Sequence, residues 1–110
     1  NKTEIITYYK AESSVEIPSC VEKIGDGAFH AKQMIKKITI PNTVKKIGNS
    51  FNYCTSLTSI TIPNSVETIN SVCFNFCNNL TSINIDKEEG SISSAPWGSP
   101  YGMRVVNWLR

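Results

Sequence analysis

Hydrophobic positions recur along the chain at a nearly constant interval. The clearest marker is an Ile-Pro pair, which occurs at residues 17–18, 40–41 and 62–63. The apolar positions that follow each pair keep the same spacing, and they are Val21, Val44 and Val66, then Ile24, Ile47 and Ile69, then Phe29, Phe51 and Phe74. The interval from one Ile-Pro pair to the next is typical of a solenoid, because one unit cannot bury its own apolar face whereas stacked units can.

Each unit is predicted to contain two short extended segments. Residues 57–62 alternate between apolar and polar side chains toward their end, as a strand with one buried face does. Pro63 ends this strand because it has no amide proton for a ladder. Residues 66–69 form the second segment, on the opposite wall. The predicted core consists of Ile24, Ile38, Ile40, Ile47, Leu57, Ile60, Ile62, Ile69, Leu80, Ile83 and Ile85, with Phe29, Phe51 and Phe74 at the corner.

The composition favours strands and excludes several classes of function. Fourteen isoleucines and seven valines stand against three leucines, which suits β-strands better than a helical bundle. With 40% apolar residues and a net charge of +2, the chain is neither disordered nor a nucleic-acid binder driven by charge. No apolar run approaches the length of a membrane span. We expect no metal site, no cofactor, no nucleic-acid partner and no membrane span in this chain.

Three parts are expected along the chain. Residues 1–14 are assigned to an N-terminal cap, residues 15–86 to the repeats and residues 87–110 to a C-terminal cap. The repeats run over 15–34, 35–56, 57–79 and 80–86. Residues 5–9 and 14–17 are predicted to be the two strands of a capping hairpin, because the ends of an open solenoid must be covered.

The pattern L-x-x-I-x-I-P-x-x-V-x-x-I-x-x-x-x-F-x-x-C, nearly complete in residues 57–77, resembles the BspA-like leucine-rich repeat, also called the Treponema pallidum type. Residues 35–54 show it with one deletion, and residues 15–32 show it with Lys32 in place of the cysteine. The resemblance implies a mainly β leucine-rich-repeat solenoid of about three to four coils. Its strands would be short and parallel, between the N-terminal hairpin and a Trp-containing C-terminal cap.

Two tryptophans lie in the tail that follows the repeats. The resemblance implies that Trp97 and Trp108 belong to a C-terminal closure and lie over the last apolar layer. The alternative is a carbohydrate-binding aromatic platform formed by these two side chains and Tyr101.

Four cysteines raise the possibilities of a metal site or a disulfide. Cys54 and Cys77 occupy the same position in successive units, so parallel stacking would bring them within disulfide range. The resemblance implies instead a ladder of buried thiols. Cys73 and Cys77 are the only close pair, but both fall on repeat positions, which argues against zinc. Cys73 is expected to be buried, and Cys20, in a turn, to be the most exposed thiol.

Catalysis has one candidate arrangement, a Cys–His nucleophile pair of Cys54 and His30. This pair lacks a third orienting group, and His30 aligns with the loop residues Asn52 and Asn75. We therefore expect a solvent-facing histidine and no enzyme activity.

A run of lysines precedes and follows the second Ile-Pro pair, in a stretch with no acidic residue. Its members are Lys32, Lys36, Lys37, Lys45 and Lys46. Nucleic acid is disfavoured as a partner because aromatic side chains are not interleaved with the run. A solvated face and attraction to an acidic protein or anionic glycan are the two interpretations that stay open.

Strand alternation turns a set of polar side chains outward on three successive units. The candidate binding residues are Lys37, Thr39, Ser59, Thr61, Ser82 and Asn84. Most are small, so we expect a flat, hydrogen-bonding surface without a pocket. Such a surface suits a protein or a polysaccharide better than a small molecule.

The resemblance implies a bacterial cell-surface or secreted protein with a role in adhesion to host matrix proteins or to other cells. We therefore expect a non-catalytic binding module that recognises a protein or a polysaccharide through the strand surface. The alternative is a structural spacer or array element of a larger surface protein. The chain begins without a methionine, so a targeting segment is expected upstream of Asn1.

Overall fold

Two parallel β-sheets form the walls of the protein and enclose its apolar core. The structure, a computed structural model, describes residues 3–5 and 12–110. Each turn of the chain, here called a coil, contributes one strand to each sheet, except at the C-terminal end, where the last strand joins only one sheet. About four coils stack in this way, so the protein is a β-solenoid, as the repeat predicted.

The strands are short and keep their sequence order within each wall. Sheet A contains β1 (Glu4–Ile5), β3 (Lys23–Ile24), β5 (Lys46–Ile47) and β7 (Thr68–Ile69). Sheet B contains β2 (Ser14–Glu16), β4 (Lys37–Thr39), β6 (Ser59–Ile62), β8 (Ser82–Ile85) and β9 (Val106–Trp108). One 3₁₀ turn, Gly102–Val105, precedes β9 and is the only helix in the part of the chain that the structure describes. No helix there is long and apolar enough to cross a bilayer.

The core repeats one side chain per coil at each inward position. Every predicted core residue is buried. The corner is filled by three nearly parallel rings, with centroids 5.3 Å apart between Phe29 and Phe51 and 5.8 Å apart between Phe51 and Phe74. Trp97 is fully buried and meets Phe74 edge to face at 6.4 Å. This tryptophan covers the last aromatic layer, as expected of a closing residue.

Most of the first strand of the predicted N-terminal hairpin lies outside the described residues, and Ile5, the one described residue of that strand, does not pair with residues 14–17. Glu4–Ile5 lies in sheet A, parallel to β3, whereas β2 lies in sheet B, parallel to β4. The two segments are therefore on opposite walls of the first coil. Ile5 pairs in register with Ile24 and packs against the core, which explains why this segment joins the solenoid. Residues 6–11, which include most of the predicted first strand, lie outside the described residues.

Turn side chains hold neighbouring coils together through carbonyl oxygens. The Thr43 hydroxyl donates to the carbonyl of Val21 at 2.8 Å. One coil later the Ser65 hydroxyl donates to the carbonyl of Val44 at 2.7 Å. At the last coil the Lys87 ammonium takes this role, donating to the carbonyls of Val66 at 2.9 Å and Asn64 at 3.0 Å. Since no further strand of the described residues follows β7 in sheet A, the lysine satisfies acceptors that the stack leaves without a partner strand.

Candidate functional site

The outer face of sheet B carries the polar residues that were predicted to bind a partner. The structure places all six on three adjacent strands: Lys37, Thr39, Ser59, Thr61, Ser82 and Asn84. Thr61 lies opposite Thr39 on one side and opposite Asn84 on the other, so these three form one continuous row. Ser59 and Ser82 pair in a second row. Strand alternation and parallel register produce both rows, because the isoleucines between them point inward.

Two further strands lengthen these rows at both ends. On β2, Ser14 lies opposite Lys37 and Glu16 lies opposite Thr39. On β9, Asn107 lies opposite Asn84. We name the resulting surface the strand face, and it consists of Ser14, Lys37, Ser59 and Ser82 in one row and Glu16, Thr39, Thr61, Asn84 and Asn107 in the other.

Asn107 is the member that sequence reasoning missed. Its side-chain amide donates to Asn84 Oδ1 at 2.9 Å and to Ser82 Oγ at 3.2 Å. The Ser82 hydroxyl also donates to Asn84 Oδ1, at 3.0 Å. These contacts fix the C-terminal end of the strand face before any partner arrives. A signal was present, because Thr61, Asn84 and Asn107 follow one another at equal intervals in the sequence.

The strand face offers hydroxyl and amide groups but few charges. Glu16 and Lys37 are its only ionisable members, and both lie toward its N-terminal end. Its C-terminal half therefore presents neutral groups that both donate and accept hydrogen bonds. Within residues 3–5 and 12–110, no cluster of three or more His, Cys, Asp or Glu side chains is placed to hold a metal ion.

The aligned cysteines form a ladder of free thiols and not a disulfide. Cys54 donates to the carbonyl of Phe29 at 3.1 Å, and Cys77 donates to that of Phe51 at 2.9 Å. Burial raises the pKa of Cys54 to about 12 and that of Cys77 to about 11. Cys73 is also buried, and burial raises its pKa to about 12. The disulfide alternative is therefore wrong, while the thiol ladder implied by the resemblance is present.

The Cys–His nucleophile pair is not supported by the geometry. His30 is exposed and places its ring edge-on to Tyr53, with centroids 5.6 Å apart. The Cys54 thiol points instead to a backbone carbonyl and has a raised pKa. A nucleophilic cysteine needs a lowered pKa, so the environment of Cys54 opposes that role.

The lysine run does not form one basic surface. Lys37 lies on β4 in sheet B, whereas Lys46 lies on β5 in sheet A, where it is in register with Lys23. Lys32 is half-buried in the segment that precedes β4. The coil thus distributes a continuous run in the sequence over different walls of the solenoid.

The aromatic platform in the tail is not formed either. Trp97 is completely enclosed, and its indole N–H donates to the carbonyl of Ser93 at 2.8 Å. Trp108 is half-buried 6.1 Å from it, at the inward position that Ile85 occupies on the neighbouring strand. Trp97 and Trp108 close the core and leave no paired indole faces for a sugar.

This fold is a leucine-rich-repeat solenoid. Its short parallel strands are stacked, each coil adds one apolar residue at every inward position, and the outer surface of the strands is polar. Residues 6–97 match the family model described as "BspA type Leucine rich repeat region (6 copies)". Because this match covers most of the chain, the protein belongs to the BspA-type leucine-rich repeat family. No curated protein and no solved structure gives a significant match. Repeats of this kind typically form non-catalytic interaction modules that commonly bind proteins.

Proposed function

We propose that this chain is a non-catalytic binding module that recognises a protein partner through the strand face. The observation that carries the proposal is the alignment of small hydroxyl and amide groups in register on adjacent strands. Thr39, Ser59 and Thr61 are exposed and make no contribution to the core. A partner that lies across these strands would contact them together.

Preorganisation at one end of the strand face supports this role. Asn107, Asn84 and Ser82 already hold one another in a hydrogen-bonded group. Side chains that are ordered in the free protein lose less rotamer freedom on binding, which favours association. The depression lined by Lys46 and Thr68 lies on sheet A, away from this surface.

The setting that we propose is the surface of a bacterial cell or its surroundings. Proteins of the BspA-type family are usually associated with surface or secreted locations. Adhesion to host matrix proteins or to other cells would use a flat surface of this kind. A polysaccharide lying on the same strand face is the alternative ligand, and a spacer role is the alternative function.

Two combined variants test the proposal against immobilised fibronectin, laminin and collagen. The first replaces exposed strand-face residues, as Thr39→Lys, Ser59→Glu and Thr61→Lys. The control replaces exposed residues on sheet A, as Lys45→Glu, Lys46→Glu and Thr68→Lys. Three changes are combined because one polar contact contributes only about 0.5–1.5 kcal/mol.

The strand-face variant should lose at least about tenfold in affinity for the matrix protein that the wild type binds, while the control keeps its affinity. Both variants should fold, since the replaced side chains are exposed. If only the sheet A control loses binding, the partner binds to sheet A and not to the strand face. Absence of binding by the wild-type chain to all three proteins would favour the spacer role.

A further inference from the structure

A second surface, separate from the strand face, carries exposed aromatic rings in a stack. Tyr53 and Phe76 are nearly parallel, at 8°, with ring centroids 4.5 Å apart. His30, one coil earlier, lies edge-on to Tyr53, although the repeat counterpart of Tyr53 in that coil is Ala31. We name these three residues the outer ladder. They lie in the segments that lead from sheet A back to sheet B, and Tyr53 and Phe76 are 41% and 51% exposed.

The fold itself does not favour aromatic residues at these positions. Tyr53 has a φ of 63° and Phe76 a φ of 62°, in the left-handed region where glycine and asparagine are the favourable residues. Bulky side chains there raise the conformational energy of the backbone, and about half of each side chain remains in water. The left-handed backbone and the exposure to water, found together at both positions, indicate that these rings have a function outside the core.

The outer ladder has an open end at Phe76. Tyr53 is covered by the coil that follows it along the chain, because its N–H donates to the carbonyl of Asn75 at 3.1 Å. The next coil follows the repeat as far as Trp97, whose carbonyl accepts the Phe74 N–H at 2.9 Å. No carbonyl of the described residues accepts the N–H of Phe76, and no described ring covers its second face. Since Phe76 is 51% exposed, part of its ring is available to a ligand.

The two coils that carry Tyr53 and Phe76 contain few charged residues. Asn52 and Asn75 immediately precede Tyr53 and Phe76, and Glu67 is the only charged residue from Ile47 to Ile85. Aromatic faces pack well against the C–H groups of a sugar ring, and side-chain amides pair with its hydroxyls.

From the stack, its exposure, the absence of a further described ring on Phe76 and the single charged residue between Ile47 and Ile85, we infer that the outer ladder binds a neutral polysaccharide. A sugar ring would pack on the free face of Phe76, with the chain of the polymer running along the edges of the aromatic rings. This site is independent of the strand face, so a protein and a glycan could be bound by the same solenoid at different surfaces.

Electrophoresis of the native protein in gels that contain a polysaccharide tests this site. The probes are hydroxyethylcellulose, laminarin, glycogen and galactomannan, with heparin as the anionic comparison. We expect at least one neutral polymer to retard the wild-type protein. Retardation by none of the four, or by heparin alone, would overturn the proposal.

The decisive variant is the double substitution Tyr53→Asn and Phe76→Asn. Asparagine tolerates the left-handed backbone, so the fold should be retained, as a thermal melt would verify. Affinity for the neutral polymer should fall at least about tenfold, since both rings are lost. Phe76→Trp, which keeps an aromatic face, should bind as the wild type does.

The strand-face variant serves as the matched control and separates the two proposals. It should lose the matrix protein and keep the polysaccharide, while the double asparagine variant does the reverse. If the double asparagine variant is still retarded like the wild type, the outer ladder is not the glycan site. If it loses a matrix protein instead of a polysaccharide, the ladder docks a protein and our inference is wrong.

Discussion

The thiol of Cys77 donates a hydrogen bond to the carbonyl oxygen of Phe51, one coil away, at 2.9 Å. Cys54 makes the same contact with Phe29. Each of these carbonyls, at the buried corner, also accepts a backbone N–H, that of Lys32 at Phe29 and that of Cys54 at Phe51, so the thiol is a second donor to the same oxygen. Cysteine supplies a weak donor on a side chain that otherwise behaves as a small apolar group. The same geometry in successive coils shows that these thiols are structural.

Only one thiol of the native protein should react with a water-soluble maleimide or with Ellman's reagent. Cys20 is exposed, whereas Cys54, Cys73 and Cys77 are buried. Burial also raises the pKa of these three thiols, which suppresses the reactive thiolate. Titration should give one reactive thiol under native conditions and four in denaturant. Two or more fast-reacting thiols in the native state would contradict the buried ladder.

Alkaline pH should destabilise the protein through the same buried thiols. Their pKa values are raised on folding, so the unfolded state loses these protons first, above about pH 9. Stability should therefore be fully present below that pH and fall as the pH rises toward 11–12. The slope is about 1.4 kcal/mol per pH unit for each thiol ionised only in the unfolded state.

Urea unfolding of the wild type and of the Cys54→Ser, Cys77→Ser double variant, at several pH values from about 7 to about 11, measures this effect. Serine keeps a donor but does not ionise in this range. The variant should lose less stability per pH unit than the wild type, because two of the three buried thiols are absent from it. Parallel stability curves for the two proteins would refute the assignment.

Phe51→Ala should remove most of the stability of the solenoid. The Phe51 ring lies between those of Phe29 and Phe74 and is 1% exposed. Truncating a buried phenylalanine to alanine costs about 3–5 kcal/mol, which is comparable to the total stability of a small domain. The matched control is Phe76→Ala, at an exposed position, and it should shift the melting temperature far less. Equal shifts in melting temperature for the two variants would contradict the central role of the stacked rings of Phe29, Phe51 and Phe74.

Lys87→Met should weaken the C-terminal end of sheet A. This change removes the ammonium that donates to the carbonyls of Val66 and Asn64. Because two charge-assisted bonds are lost, of which the one to Val66 is partly buried, the free energy of unfolding should fall by about 1–2 kcal/mol. Lys45→Met, at an exposed position, is the control and should change it little. Identical denaturation curves for the two variants would show that the lysine does not cap the stack.

The inner architecture could be predicted because one interval in the sequence corresponds to one turn of the solenoid. Ile38, Ile60 and Ile83 recur at nearly equal intervals and are buried on neighbouring strands. Alternation within each strand then determined which polar neighbours point outward. Both features follow from the pleat of a strand and the parallel stacking of coils, so they are visible without coordinates.

The two ends of the solenoid were harder to predict. Ile5 precedes Ile24 by a shorter interval than the repeat uses anywhere else, so its place in sheet A was hidden. Asn107 and Trp108 do keep the interval of the repeat from Asn84 and Ile85, but the irregular segment before them obscured the match. The chain leaves the repeat path and then returns to add one more strand.

The outer ladder could not be predicted, because its backbone conformation contradicts residue preference. Tyrosine and phenylalanine favour strands, whereas Tyr53 and Phe76 adopt the left-handed region at a tight bend. Their exposure depends on that bend, and the spacing of the repeat alone does not reveal it.

Site-directed labelling tests the central claim, that partners bind through the strand face. In a Cys20→Ser background the remaining native thiols are buried, so an introduced surface cysteine is the reactive one. Thr61→Cys places it on the strand face, and Thr68→Cys places it on sheet A, both at exposed strand positions. Each protein is coupled to a bulky polyethylene-glycol maleimide and assayed against the matrix protein that the wild type binds. The account predicts that the label at position 61 abolishes binding and the label at position 68 does not; binding blocked only from position 68 would contradict it.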